Sequence, residues 1–166
     1  MSRGRHKPPQ RLVAVTLDEA SIVRWSADVE HERRVAIFDL LEENSFAPTA
    51  PFAGGYRGPF RLHLRIEDGR LVFELSDESG GYLDSFRLAL TPFRRVIKEY
   101  FLVCDSYYRA IKSASPQQIE AIDMGRRGLH DEAARLLRER LKAKVEIDEN
   151  TARRLFTLIC VLHIRG

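Results

Sequence analysis

The stretch Phe60-Arg-Leu-His-Leu-Arg-Ile-Glu-Asp-Gly-Arg-Leu-Val-Phe-Glu-Leu75 decides the fold class. Phe60, Leu62, Leu64 and Ile66 alternate with Arg61, His63 and Arg65, the period of two that puts successive side chains on opposite faces of a strand. Asp68-Gly69 supplies a two-residue hairpin turn, and Leu71, Phe73 and Leu75 resume the alternation. With Asp68 and Gly69 as the loop, Ile66 faces Leu71, Leu64 faces Phe73 and Leu62 faces Leu75 on the core side. His63 meets Glu74 on the other side, a weak cross-strand contact. Residues 82–90 continue the meander as a third strand, entered through the flexible loop 77–81.

Towards the N-terminus, Leu12-Val-Ala-Val-Thr-Leu17 is a further β-rich run, followed by a polar connection through Trp25. A helix is expected over 29–44. Asp28 caps it, Glu30 and Glu32 complement the positive end of its dipole, and Ile37, Leu40 and Leu41 form its inward stripe. From Thr91 the period changes to about 3.6: Thr91 caps, Pro92 occupies the first turn, and Phe93, Ile97, Tyr100, Cys104, Tyr107 and Ile111 recur at helical steps to residue 113. At 1.5 Å per residue that helix is about 33 Å long, and it is expected to be the spine on which the sheet packs. Ser115-Pro116-Gln117-Gln118 is a capping-box pattern opening another helix, which Gly125 or Gly128 ends. A further helix covers 130–143, and Asp148 caps a last one running to about 164.

The fold class is therefore α+β. A small antiparallel sheet, the meander 60–90 plus the N-terminal strand, packs on the long helix and is followed by a C-terminal helical part. Residues 11–166 read as one domain behind a flexible basic arm, 1–10.

The chain has 166 residues, 44% hydrophobic and 31% charged, and is long enough to bury roughly 70% of its unfolded surface. Cys104 and Cys160, its only cysteines, each follow an apolar run and read as buried thiols, which fits a reducing compartment. The longest apolar run, 155–164, is about half of what a bilayer crossing needs. Residues 1–10 are basic and proline-containing, unlike a secretory signal. A cytoplasmic location without membrane contact is expected. Of the net charge of +3, Arg3, Arg5, Lys7 and Arg11 among the first eleven residues supply +4, so residues 12–166 are nearly neutral. Arginine provides 22 of the 27 basic residues, with adjacent pairs at 33/34, 94/95, 126/127 and 153/154; guanidinium forks suit phosphate and carboxylate, and codon bias explains the ratio equally well.

Two segments have the ingredients of a site. Residues 45–59 hold Pro48, Pro51 and Pro59 with Gly54, Gly55 and Gly58 and show neither helix nor strand period; a structureless loop of that length is commonly functional. Gly54, Gly55, Tyr56 and Arg57 offer backbone amides and a guanidinium to an anion or partner, although the Lys-Ser/Thr of a P-loop is missing. The second segment is 123–132, where Asp123, Arg126, Arg127, His130 and Asp131 crowd the expected helix–helix junction. Arg126 and Arg127 are anion- or partner-binding candidates; His130, Asp131 and Asp123 are the weak catalytic ones. Cys160 and His163 stand three apart but lack further ligands at metal spacing, so no metal and no cofactor is expected. His31, among Glu30 and Glu32, reads as part of a solvated helix face.

The segments Leu12-Val-Ala-Val-Thr-Leu-Asp-Glu-Ala-Ser-Ile22, Asp28-Val-Glu-His-Glu-Arg33, Phe38-Asp-Leu-Leu-Glu-Glu-Asn-Ser-Phe46, Ile122-Asp-Met-Gly-Arg-Arg-Gly-Leu-His130 and Thr151-Ala-Arg-Arg-Leu-Phe-Thr-Leu-Ile-Cys-Val-Leu-His-Ile-Arg-Gly166 resemble an uncharacterised family of alphaproteobacterial proteins. The resemblance implies a cytosolic bacterial protein standing alone as one domain. It brings no activity, cofactor or catalytic residue. Polar clusters without the residue order of a known reaction point to a non-catalytic binding or regulatory module that engages a protein or RNA. The alternatives are an enzyme or sensor for a phosphorylated small molecule, held by Arg57, Arg126 or Arg127 near His130, and a structural homodimer.

Overall fold

The structure, a computed structural model, describes residues 9–18 and 27–162, with the side chains of 27–29 excepted. Arg3, Arg5 and Lys7 of the basic arm, Trp25 and His163 lie outside the described residues, as does the Asp28 side chain.

The hairpin forms in the expected register. Strands β3 (Phe60–Glu67) and β4 (Arg70–Ser76) pair antiparallel with Ile66 opposite Leu71, Leu64 opposite Phe73 and Leu62 opposite Leu75. Asp68 and Gly69 both take positive φ, 53° and 73°, the left-handed backbone that a two-residue turn between right-twisted strands needs. Strand β5 (Tyr82–Ala89) extends the meander, and Phe73 stacks on Phe86 at 4.8 Å. His63 and Glu74 are register partners, but their side chains turn elsewhere: His63 Nδ1 lies 2.7 Å from Thr16 Oγ1, and Glu74 accepts from Arg65 at 2.9 Å.

The N-terminal strand β1 (Leu12–Leu17) joins the sheet beside β3, giving the order β1-β3-β4-β5, but it runs parallel to β3. The sheet is therefore mixed where an antiparallel one was expected. The physical reason is the connection: helix α1 (Ala27–Glu42) lies between the two strands, and a crossover through a helix returns the chain to the same end of the sheet. Asn44, just past α1, fixes the start of β1. Its Oδ1 accepts from Leu12 N at 2.7 Å, and its Nδ2 donates to Leu12 O at 3.0 Å and Leu40 O at 2.8 Å.

The α1 stripe is oriented as expected, with Leu40 buried and Ile37 and Leu41 packed against the core. Asp28 lies within the helix rather than at its cap.

Helix α2 (Arg94–Ser113) follows a 3₁₀ turn at Thr91–Phe93. Its stripe starts in the core with Phe93, Ile97 and Tyr100, becomes half-buried at Cys104 and Tyr107, and ends exposed at Ile111. The spine is instead the last helix, α4 (Glu149–Leu162), packed between α1 and α3, with Leu155 to Leu162 buried without a break. A helix buried on every side over residues 155–162 must be central there, whereas α2 keeps a wet face along its length. Asp148 caps α4, accepting from Thr151 N at 2.8 Å.

The capping box at Ser115 opens α3 as expected, but the helix runs unbroken from Pro116 to Leu141. The junction at Gly125–Gly128 does not exist, and three helices, not four, follow the sheet among the described residues. Glycine inside a helix costs about 1 kcal/mol, and the contact of α3 with α2 and α4 outweighs that cost. At 1.5 Å per residue α3 is about 39 Å long.

The segment 45–59 is a held loop. Its β2 (Ala47–Pro48) pairs with β6 (Val145–Glu146), and Ser45 N donates to Thr151 Oγ1 at 3.0 Å. Phe46, Phe52 and Tyr56 ring Phe60 at 5.7–6.0 Å between centroids. Gly58 has φ 119°, and a Cβ there would lie 2.1 Å from Pro9 O, so only glycine fits.

Candidate functional site

Because α3 is continuous, Asp123, Arg126, Arg127 and His130 stand at i, i+3, i+4 and i+7, on one face of one helix. Asp123 binds both arginines. Its Oδ1 accepts from Arg126 Nη2 at 2.5 Å and its Oδ2 from Arg127 Nε at 2.9 Å. The Arg126 hydrogen bond is the largest influence holding the Asp123 carboxyl below its usual range. Arg126 also sits over the Tyr107 ring, 4.6 Å from its centroid. Arg127 points to solvent beyond Asp123, and Asp131 is paired with Arg153 of α4.

His130 is wedged between the rings of Tyr100, 5.4 Å away, and Phe156, 5.9 Å away. Its Nε2 lies 2.7 Å from the carbonyl oxygen of Arg153. A carbonyl oxygen only accepts, so Nε2 carries the ring proton and Nδ1 is left as the acceptor. Burial lowers the His130 pKa to about 4, against the hydrogen bond to Arg153 O, which raises it, and with the charges of Arg153 and Arg126 adding to the lowering. At neutral pH the ring is uncharged.

Arg126 and His130 line a cleft of about 360 Å³ among the helices. Helix α1 contributes Glu32 and Asp39 to it, α2 contributes Tyr100, and α4 contributes Asn150, Arg153, Arg154 and Thr157. Sequence reading assigned none of these six outside Tyr100's core stripe a role in a site. The arginine pair at 153/154 was the legible signal, since two guanidiniums on an otherwise apolar helix need a polar outlet. His31 is exposed, as expected of a solvated face, and also borders the cleft.

Gly54, Gly55, Tyr56 and Arg57 lie elsewhere. Their loop is stitched to residues 145–146 beyond the end of α3, and from Arg127 to Leu141 that helix advances about 20 Å. None of the four lines the cleft. Gly54, Gly55 and Arg57 are exposed, and Tyr56 donates its hydroxyl proton to Pro59 O while accepting from Glu78 N at 3.0 Å. The two candidate segments thus form two separate places on the surface.

The cysteines pack as small hydrophobes, Cys160 buried and Cys104 half-buried. Burial pushes the Cys104 thiol up to about 11 and the Cys160 thiol well above its ordinary value. Among the described residues no group of three or more His, Cys, Asp or Glu side chains is arranged to hold a metal ion, and no helix is long and apolar enough to cross a membrane.

The sequence profile of the uncharacterised protein family UPF0262 matches residues 9–165. A UPF0262 protein of Sphingopyxis alaskensis is 59% identical over 157 residues, 95% of each chain. One from Xanthobacter autotrophicus is 58% identical over 160 residues, 96% of each chain. A third, from Azorhizobium caulinodans, is 59% identical over 160 residues, 96% of this chain and 97% of its own. No solved structure matches the chain.

Proposed function

The chain belongs to the uncharacterised protein family UPF0262, and from that premise we propose that it is a non-catalytic module whose α2–α3 hairpin engages a protein partner. The observation that carries the reading is the packing of the hairpin's outer half. Between residues 101 and 132 only Ala110 is buried, while Leu102, Ile111 and Met124 are 59%, 49% and 64% exposed. Two helices alone bury one narrow stripe each, and such a pair is marginal in water without a further layer. A partner surface laid against the hairpin supplies that layer.

The cleft chemistry supports binding over catalysis. A general base works best with a pKa near the operating pH. His130, lowered to about 4, is a weak base at neutral pH.

Photo-crosslinking tests the reading. A benzophenone side chain replacing Met124 is expected to give a discrete adduct with another protein in cells, and the same group replacing Arg70 on the sheet is expected to give none. An adduct of twice the chain mass would replace this reading with a homodimer. Nuclease-sensitive adducts would replace it with an RNA-binding one. No adduct at Met124 would overturn it.

A further inference from the structure

Beyond Glu149 at its start and the buried Thr151, helix α4 is apolar except along one line. Asn150, Arg153, Arg154 and Thr157 stand at i, i+3, i+4 and i+7, a single polar stripe on a helix that is otherwise core, and the whole stripe faces the cleft. Arg126 joins it from α3, so three guanidiniums line a space that also holds two carboxylates, Glu32 and Asp39.

The cations are braced unequally. Arg126 is held by Asp123 and Arg153 by Asp131, two carboxylates that do not themselves line the cleft, so these guanidiniums are oriented from behind. Glu32 accepts from the Tyr108 hydroxyl at 2.8 Å. Arg154 is the least satisfied. Its Nη1 donates to Asn150 O at 3.2 Å, its Nε is buried with no hydrogen-bond acceptor among the described residues, and the Asp39 carboxylate stands 4.0 Å away, beyond hydrogen-bond reach. A guanidinium presents a planar fork of donors that fits two oxygens of one carboxylate or phosphate. The space of about 360 Å³ has the size of a small-metabolite site.

We propose that this cleft binds a small oxyanion, a carboxylate or a phosphate monoester, through Arg154 and Arg153 with Asn150 beside them. His130 lines the same cleft as a neutral ring, with the proton on Nε2 committed to Arg153 O. The proposed anion contacts, Asn150, Arg153 and Arg154, belong to α4 and not to the hairpin, so the proposal does not depend on what binds there.

Thermal unfolding of the full chain with inorganic phosphate, with lactate, and with sodium chloride at matched ionic strength tests the proposal. Phosphate or lactate is expected to raise the melting temperature saturably beyond the chloride control, because a ligand that binds only the folded state stabilises it. Whichever anion acts identifies the oxyanion class. Arg154→Gln is expected to weaken that binding at least tenfold, and Arg57→Gln on the distant loop to leave it unchanged. Asn150→Asp keeps the test independent of folding defects: Asn150 is exposed, an acid in the first turn of a helix is favourable, and the new carboxylate repels the anion. The melting temperature without ligand should hold in that variant while the anion-dependent rise disappears. No saturable rise with either anion, or a rise that survives in both Arg154→Gln and Asn150→Asp, overturns the proposal. Neither result bears on crosslinking at Met124, so the two readings fail separately.

Discussion

His130 shows how one side chain ties chemistry to stability. The native ring is kept neutral by burial down to about pH 4, whereas in the unfolded chain it takes up a proton near 6.5. As pH falls through that window the unfolded state binds the proton and the native state does not, so stability present above pH 6.5 is lost progressively towards pH 4. Between pH 6.5 and 5 the loss is about 1.5 kcal/mol from this group. Urea unfolding at the two pH values should show that loss in the wild type and its absence in His130→Gln; equal pH dependence in both chains would refute it. Single residues were the least legible level of the sequence. His130 and Asp131 were visible as a polar pair, but Asp131 binds Arg153, 22 positions away, and His130 leans on that same residue's carbonyl. Asn44, which pins β1 to the end of α1, carried no local signal at all.

Among the elements, the hairpin and the caps at Ser115 and Asp148 follow from short-range rules, and α3 shows where such rules fail. Gly125 and Gly128 read as stops because glycine commonly closes helices, yet neither adopts positive φ here and both lie inside α3. A Cβ on Gly128 would meet nothing within 4 Å. Gly128→Ala is therefore expected to stabilise the protein by about 0.5–1 kcal/mol, through the lower conformational freedom of the unfolded chain. Were residue 128 a left-handed helix end, alanine would destabilise instead, so the sign of the change in urea midpoint decides between one helix and two. Gly125 has Val103 Cγ2 of α2 at 3.9 Å from its would-be Cβ, an ordinary packing contact. That contact and the Asp123 ion pairs come from packing and from residues on the far side of the expected break.

For the whole molecule, the decisive feature is that α4 arrives last in the chain and sits at the centre of the core, between α1 and α3. Phe156 is fully buried and edge-packed against Tyr100 at 5.5 Å. Phe156→Ala should cost about 3–5 kcal/mol, a large share of the roughly 5–15 kcal/mol that holds a domain together. Ile111→Ala, on the outer part of the helix the sequence had marked as spine, should change stability by no more than about 0.5 kcal/mol. Denaturant unfolding of the two variants checks the ranking; comparable losses would mean that the hairpin is packed as core.

By itself the sequence determined the alternation of the meander, the turn at Asp68-Gly69, the capping box at Ser115, the Asp148 cap and the α+β class. Each of these depends on residues within a turn or a strand length of one another, where backbone geometry and side-chain period leave little choice. Only the tertiary structure decided that β1 runs parallel to β3, that α3 passes through its glycines, that α4 is the spine, and that Arg126 and His130 share a cleft with Asn150, Arg153 and Arg154 while Arg57 does not. Those outcomes are settled by apolar burial and by pairing between groups far apart in the chain, and these interactions acquire a direction only when the elements meet.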